Sequence, residues 1–211
     1  MIKKYNISLL ETVPPDYYET GMRTNILQKI WHTWKWKTLE GLLDGVSGNI
    51  LDIGCAGGML TAKMQQELPQ AHLTGIDLYK KAIAYAKKKY PHIQFIIGDA
   101  HKLPFPPSTF EAVIATESLE HLHDPKKTVM EIYRVLKSKG MFIAGQDTNN
   151  YPFRVIWWVW TRMKGKVWHG VHVSCMNPNK LSRLLTDCGF TIQKKVVSHL
   201  GLEVFFRAIK E

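Results

Sequence analysis

Cysteine is scarce: the 211 residues hold three, Cys55, Cys175 and Cys188, far apart and without paired spacing. That argues against a disulfide framework or a cysteine zinc site, and points to a reducing compartment. Long apolar runs are missing as well. No stretch approaches the roughly 20 residues of a membrane span, and the basic opening MIKKYNISLLETVPP lacks an apolar run of signal-peptide length. There is no internal repeat or low-complexity linker. Acidic residues are few, 18 against 28 Lys and Arg, which leaves a net charge of +10. These features imply one cytoplasmic domain, with 45% hydrophobic content to build one substantial core.

The charge is unevenly spread. Residues 151–211 carry ten Lys and Arg against Asp187, Glu203 and Glu211. A basic, aromatic C-terminal third suits an anionic substrate, a membrane surface or nucleic acid, with a solvated basic face as the plainer alternative.

The chain is organised around Asn49–Gly58, NILDIGCAGG. Residues 50–53 are apolar apart from Asp52, as in a strand buried on both faces. They run into Gly54, Ala56, Gly57 and Gly58, and then into a segment with helical spacing from Met59. Strand, glycine turn and helix open a nucleotide-binding α/β fold. The dinucleotide fingerprint would need glycine at 54, 56 and 59 and fails at Ala56 and Met59. What remains is Asp52 ahead of the turn and Asp77 at the end of the next apolar run. An acid at 77 can take both ribose hydroxyls, and one at 52 can orient a cationic amino-acid moiety. A ligand with ribose, a positive amino group and no phosphate fits S-adenosylmethionine better than NAD.

This stretch resembles motif I of the class I S-adenosylmethionine-dependent methyltransferases, an acid followed by alternate glycines, with Asp52, Gly54 and Gly58 matching and Ala56 in place of the middle glycine. The resemblance continues through Asp77, through Gly98–Phe105 and through Glu117–Asp124, and covers about residues 49–145. It implies an α/β, Rossmann-like, seven-stranded and mostly parallel sheet with helices on both faces and an antiparallel last strand. It also implies a cofactor set of Asp52, Gly54, Ala56, Gly58, Asp77, Leu78, Asp99, Ala100 and Thr116, with Asp99 on the adenine amino group. The single domain divides into a helical cap (1–48), the cofactor core (49–145), a Trp-rich substrate-cap insertion (146–180) and a C-terminal helix and hairpin (181–211). In the cap, a helix from Asp16 to Leu43 is expected to break at Gly21.

Methyl transfer is an in-line displacement, helped by a base or metal that ionises the acceptor. Glu117-x-x-Glu120-His121 ends the fourth strand, where open sheets place their chemistry. It resembles the ubiquinone-pathway O-methyltransferases, which implies a divalent cation on Glu117, Glu120 and His121. His121, His172 and Glu117 are the catalytic candidates; His169 and His172, three apart, are also read as ordinary loop histidines. Tyr151–Trp168 holds a nearly continuous apolar run collared by Arg154, Arg162, Lys164 and Lys166. It reads as a lid over an apolar acceptor, a membrane-surface contact through Phe153–Lys166, or a buried helix of the cap.

The expected activity is therefore methyl transfer to a small hydrophobic or lipid-like acceptor, O-methylation favoured, in a cytoplasmic protein that touches the inner membrane surface. RNA or protein methylation is a second reading; the Asn/Asp-Pro-Pro-aromatic segment of amino-methylating nucleic-acid enzymes is missing. A non-catalytic cofactor-binding or membrane adaptor is the third.

Overall fold

Ile50, Leu51, Asp52 and Ile53 are all buried in β1 (Asn49–Ile53), because both faces of that strand are covered. The computed structural model describes residues 12–163, 165–168 and 172–211. After β1 come β2 (His72–Asp77), β3 (Gln94–Ile97), β4 (Phe110–Thr116), β5 (Leu136–Asp147), β6 (Phe190–Ser198) and β7 (Glu203–Lys210). They form one seven-stranded sheet in the order β3-β2-β1-β4-β5-β7-β6. The pairs up to β4–β5 are parallel, whereas β7 runs antiparallel to both β5 and β6. The expected architecture holds, with β7 as the antiparallel last strand. Strand order reverses between β1 and β4, which opens a crevice at their C-terminal ends.

Helices cover both faces. α5 (Pro125–Val135) and α7 (Pro178–Asp187) set Val129, Ile132, Leu181 and Leu185 against Leu51, Val113 and Phe142. On the other face α2 (Ile26–Glu40), α3 (Met59–Glu67) and α4 (Lys80–Lys89) bring Leu39, Met64 and Ile83 against Ile50, Ile114 and Phe205. Each such side chain contributes about 1.5–3 kcal/mol by leaving water. Lys87, Lys88 and Lys89 end α4 on its wet side, where cations suit the helix dipole.

The N-terminal cap is two helices, but they do not meet at Gly21. α1 (Tyr17–Thr24) runs through Gly21, which is buried under Gln28, where a Cβ would lie 1.6 Å from the Gln28 amide oxygen. The break falls at Asn25, an extended residue whose side chain accepts from the backbone N–H of Leu27 and Gln28 and so starts α2. Asn150 and Asn177 cap α6 (Tyr151–Arg162) and α7 in the same way. β5 begins at Leu136, which pairs with Phe110 across a register shift.

Candidate functional site

The loop after β1 is built for close approach. Gly54 and Gly58 have φ of 75° and 79°, and a Cβ on Gly57 would lie 2.2 Å from the Pro15 carbonyl oxygen. Glycine alone meets such demands without strain. Ala56 has φ 45° and carries the strain of the missing middle glycine. Its amide donates to Asp77 Oδ2 at 2.9 Å, and the Tyr79 amide donates to Asp77 Oδ1 at 2.8 Å. Asp77 is thus fixed by the loop, with the Leu78 amide as a further partner. Asp52, buried, accepts from the Thr61 hydroxyl at 2.6 Å. Burial, aided by the Asp77 charge and opposed by that hydrogen bond, pushes its pKa up to about 6.

Three cavities meet beside this loop. One, of about 110 Å³, lies over Asp77, Leu78 and Ala100, beneath Val13–Pro15 and Trp168. A second, of about 310 Å³, is lined by Asp52, Gly54, Lys63 and Thr116. The third, of about 360 Å³, is walled by aromatic side chains including Trp31, Trp157, Trp160 and Trp168. Tyr18 and Glu117 line all three. A ligand with a nucleoside end, an amino-acid end and a reactive centre between them would have that centre at this junction.

Glu117 is held there at a cost, with φ 48°, an uncommon conformation at the end of a strand. Its carboxylate pairs with the buried Lys35 ammonium and accepts from Trp31 Nε1 at 3.3 Å. Burial would raise its pKa, but Lys35, then His32 and these hydrogen bonds, outweigh that and hold it at about 2. Lys35 also lies 3.8 Å from Glu203, whose other oxygen is 2.8 Å from His199 Nδ1, off the line of a good hydrogen bond.

The aromatic cavity collects further ionisable groups. The His121 and His172 rings are 4.9 Å apart, and His172 lies flat on Trp157 at 4.3 Å. Asp147 Oδ2 is 3.7 Å from His172 Nδ1. Burial first, then the His121 charge, lowers His172 to about 3, so its ring is neutral at pH 7. Glu120 is 2% exposed, and among the described residues neither carboxylate oxygen has a hydrogen-bond partner. Burial pushes it up to about 8, with the Glu117 and Glu203 charges adding and Lys35 opposing. The Asp147 carboxyl is raised in the same way.

Asp52, Gly54, Ala56, Asp77, Leu78, Ala100 and Thr116 therefore line the two cavities beside the loop, and Gly58 caps α3 where a Cβ would strike Phe95. Asp99 does not line them. Its Oδ1 is taken by the amide and ring of His101, so Gly98 and Ala100 line the wall instead. The expected Glu117, Glu120 and His121 triad also shifts: Glu117 is turned to Lys35, while Glu120, His121 and His172 bring ligand atoms within 4.8 Å of one another. His169 lies outside the described residues. Sequence reading overlooked Tyr18, Lys35 and Asp147. Lys35 sits at an inward position of α2, and that was its only local signal.

A methyltransferase-domain family matches residues 51–144. A demethylmenaquinone methyltransferase of Chlorobaculum tepidum is 40% identical over 104 residues, 49% of this chain and 41% of that protein. The ubiquinone/menaquinone biosynthesis C-methyltransferase UbiE of Desulfotalea psychrophila is 36% identical over 117 residues, 52% of this chain and 48% of that one. The chain spans about half the length of these curated relatives. A solved S-adenosylmethionine-dependent methyltransferase of Mesorhizobium loti, 18% identical, covers 83% of this chain and 97% of its own with TM-score 0.67. A Pyrococcus horikoshii protein, 19% identical, covers 96% and 98% with TM-score 0.71. At such identities the two structures bear on the fold alone.

Proposed function

We propose that the chain is a class I S-adenosylmethionine-dependent methyltransferase that transfers the methyl group to a small lipophilic acceptor with an ionisable ring hydroxyl, of the quinol type. The observation that carries this reading is the junction at Tyr18 and Glu117. Asp77, Leu78 and Ala100 would hold the nucleoside, and Asp52 and the glycine loop the amino-acid end, which would leave the reactive centre near Tyr18 and Glu117. Asp77, held by the loop amides, would take the ribose hydroxyls.

The acceptor would occupy the cavity lined by Trp157 and Trp168. Bound S-adenosylmethionine would supply an electrophilic methyl group there, and this chain's part is to hold the acceptor in place and take up the proton it sheds. Placement supplies much of the rate. The imidazoles of His172 and His121 face the cavity as the proton acceptors, with the Asp147 carboxyl 3.7 Å from His172 Nδ1. Glu117, kept ionised by Lys35, holds the cap helix against the junction and is not the base. Loss of the hydroxyl proton makes both the oxygen and the adjacent ring carbons nucleophilic. O-methylation remains the reading for a hindered ring carbon, although the Desulfotalea relative is named a C-methyltransferase.

A divalent cation fits as an auxiliary. Glu120, His121 and His172 would hold it, and the Glu120 oxygens supply the charge it needs. When bound it would favour the ionised hydroxyl. Contact of the Phe153–Lys166 segment with the inner membrane surface, in a cytoplasmic protein, completes the proposal; among the described residues no helix is long and apolar enough to cross a membrane.

The test is incubation with methyl-labelled S-adenosylmethionine and a cell extract, followed by separation of lipid, water-soluble, RNA and protein fractions. Label in the lipid fraction, and on a short-chain quinol added alone, is expected. Label confined to RNA or protein would replace this reading. Cofactor binding with no transfer would favour the adaptor.

A further inference from the structure

α6 leaves most of its apolar surface in water. Of its twelve residues only Phe153 and Thr161 are buried, while Tyr151, Val155, Ile156, Trp158 and Val159 are exposed. α2 does the same at Ile26, Leu27, Ile30 and Trp34. Between them stands Leu200, 93% exposed, on the turn that joins β6 to β7. Exposed apolar surface on this scale marks an interaction site.

The three elements surround one opening. Leu27, Ile30 and Trp34 of α2, Ile156 and Trp160 of α6, and Leu200 all line the aromatic cavity. They are also tied to one another. His199 Nε2 lies 2.8 Å from the Trp31 carbonyl oxygen, and the Thr38 and Ser198 hydroxyls are 2.9 Å apart. Thr148 Oγ1 and Asn150 Nδ2 each donate to the Gly201 carbonyl at 2.8 Å. The turn is therefore a fixed prominence. It is also strained, since His199 and Leu200 have φ of 52° and 56°, where Asn or Gly would be at ease. Leu200 packs into no core, so folding gives no reason for a leucine held outward there.

Charge selects the occupant. Residues 148–186 contain no Asp or Glu and six Lys or Arg, and residues 25–39 contain none against three Lys. Lys29, Arg154, Arg162 and Lys166 are exposed around the face, with the Arg162 guanidinium 4.1 Å over the Trp158 ring. A second copy would bring this cationic collar against its own likeness. An apolar patch with Lys29, Arg154, Arg162 and Lys166 around it matches acyl chains beneath anionic headgroups. At 1.5 Å per residue, α6 is about 18 Å long, too short to cross but suited to lying in the interface.

We propose that α2, α6 and the 199–201 turn form a single docking face for an anionic bilayer, with Leu200 as its inserted tip, and that the acceptor passes from the bilayer straight into the aromatic cavity. The entry route rests on the reading of that cavity as the acceptor site; the docking face does not.

The test is co-flotation of the full chain with vesicles of phosphatidylglycerol and phosphatidylcholine in equal parts, against pure phosphatidylcholine. Retention on the anionic vesicles, weakened by salt, is expected. Leu200→Asn should lower retention roughly tenfold, the worth of one inserted aliphatic side chain, while thermal stability stays level or rises as strain is relieved. Ile26→Gln with Trp158→Gln should lower retention further yet leave methylation of a short-chain, water-soluble quinol unchanged. No retention on anionic vesicles, or equal retention of the variants, overturns the proposal. A concentration-dependent dimer that both changes abolish also overturns it, by assigning the face to a second copy. Loss of methylation with vesicle binding intact would count against the function proposed above and leave the docking face standing.

Discussion

Lys35 and Glu117 form a buried ion pair that fastens α2 to the C-terminal end of β4, at the junction of the three cavities. Glu203 shares the same ammonium at 3.8 Å. Removing the cation strands two carboxylates, Glu203 fully buried and Glu117 largely so. Lys35→Met is expected to cost about 3–5 kcal/mol of stability. Lys35→Met combined with Glu117→Gln should recover much of that, since an uncharged pair suffers no desolvation. Urea unfolding at pH 7 on both variants measures it; equal losses would mean that Glu117 draws its charge balance from elsewhere.

Asp77 ends β2 and Asp99 follows β3 by two residues, and the structure separates them. Asp77 faces the cavity of about 110 Å³, whereas Asp99 does not line it and gives its Oδ1 to His101. Asp77→Ala is expected to weaken S-adenosylmethionine binding by about tenfold to a hundredfold, the value of one or two charge-assisted hydrogen bonds. Asp99→Ala should leave affinity nearly unchanged. Calorimetric titration decides between them, and a matching loss at Asp99 would place the adenine amino group on its carboxylate after all.

Ala56 sits at φ 45° in a loop whose other turning residues are glycines. Ala56→Gly releases about 1–2 kcal/mol of steric cost and returns part of it as unfolded-chain entropy. A net gain of about 0.5–1 kcal/mol is expected, or about 2 °C in melting temperature for a domain of this size. Cofactor affinity should not fall, because the Ala56 amide that holds Asp77 is unchanged. A lower melting temperature would show that the Cβ contributes packing worth more than the strain.

Why some of this was legible in the sequence and some was not follows from range. The β1 loop could be read because its demands are local: a left-handed φ or a missing Cβ selects glycine at that very position. The apolar runs of β1, β2 and β4 were equally plain, since burial on both faces needs continuous apolar residues. Lys35 could not be read, because its partners lie in β4 and β7, far along the chain, and a lysine on a helix is ordinarily a wet one. Asp99 follows β3 by two residues, and His101, two residues further on, engages its Oδ1, a contact that motif order alone does not show. The Trp-rich run reads in the sequence as nearly continuously apolar, yet only the fold shows that, among the described residues, most of α6 is left exposed.

His32 provides the pH test. Its ring is edge-on to Tyr18 at 5.2 Å, beside the Lys35 ammonium. Burial first, then Lys35, lowers its pKa from 6.5 to about 4, against the raising effect of Glu117. A depressed folded-state value means that the unfolded chain takes up the proton first. Stability from this group is thus complete above about pH 6.5 and is lost as pH falls toward 4, by on the order of 3 kcal/mol. His172 acts in the same direction and reaches lower, to about 3, and Glu117 acts lower still, between 4.5 and about 2. Glu120 has the opposite sign, since its raised value makes acidification from pH 8 to 4.5 favourable. The wild-type profile therefore mixes opposing slopes, and the difference from a His32→Phe variant isolates the one of interest. Phenylalanine keeps the edge-on ring and cannot titrate. Between pH 6.5 and 4 the variant should lose less stability than the wild type, with the gap widening steadily on acidification and vanishing above pH 7. Parallel melting curves over that range would mean that His32 is charged in the fold, and the cap helix would then have to hold a second cation beside Lys35.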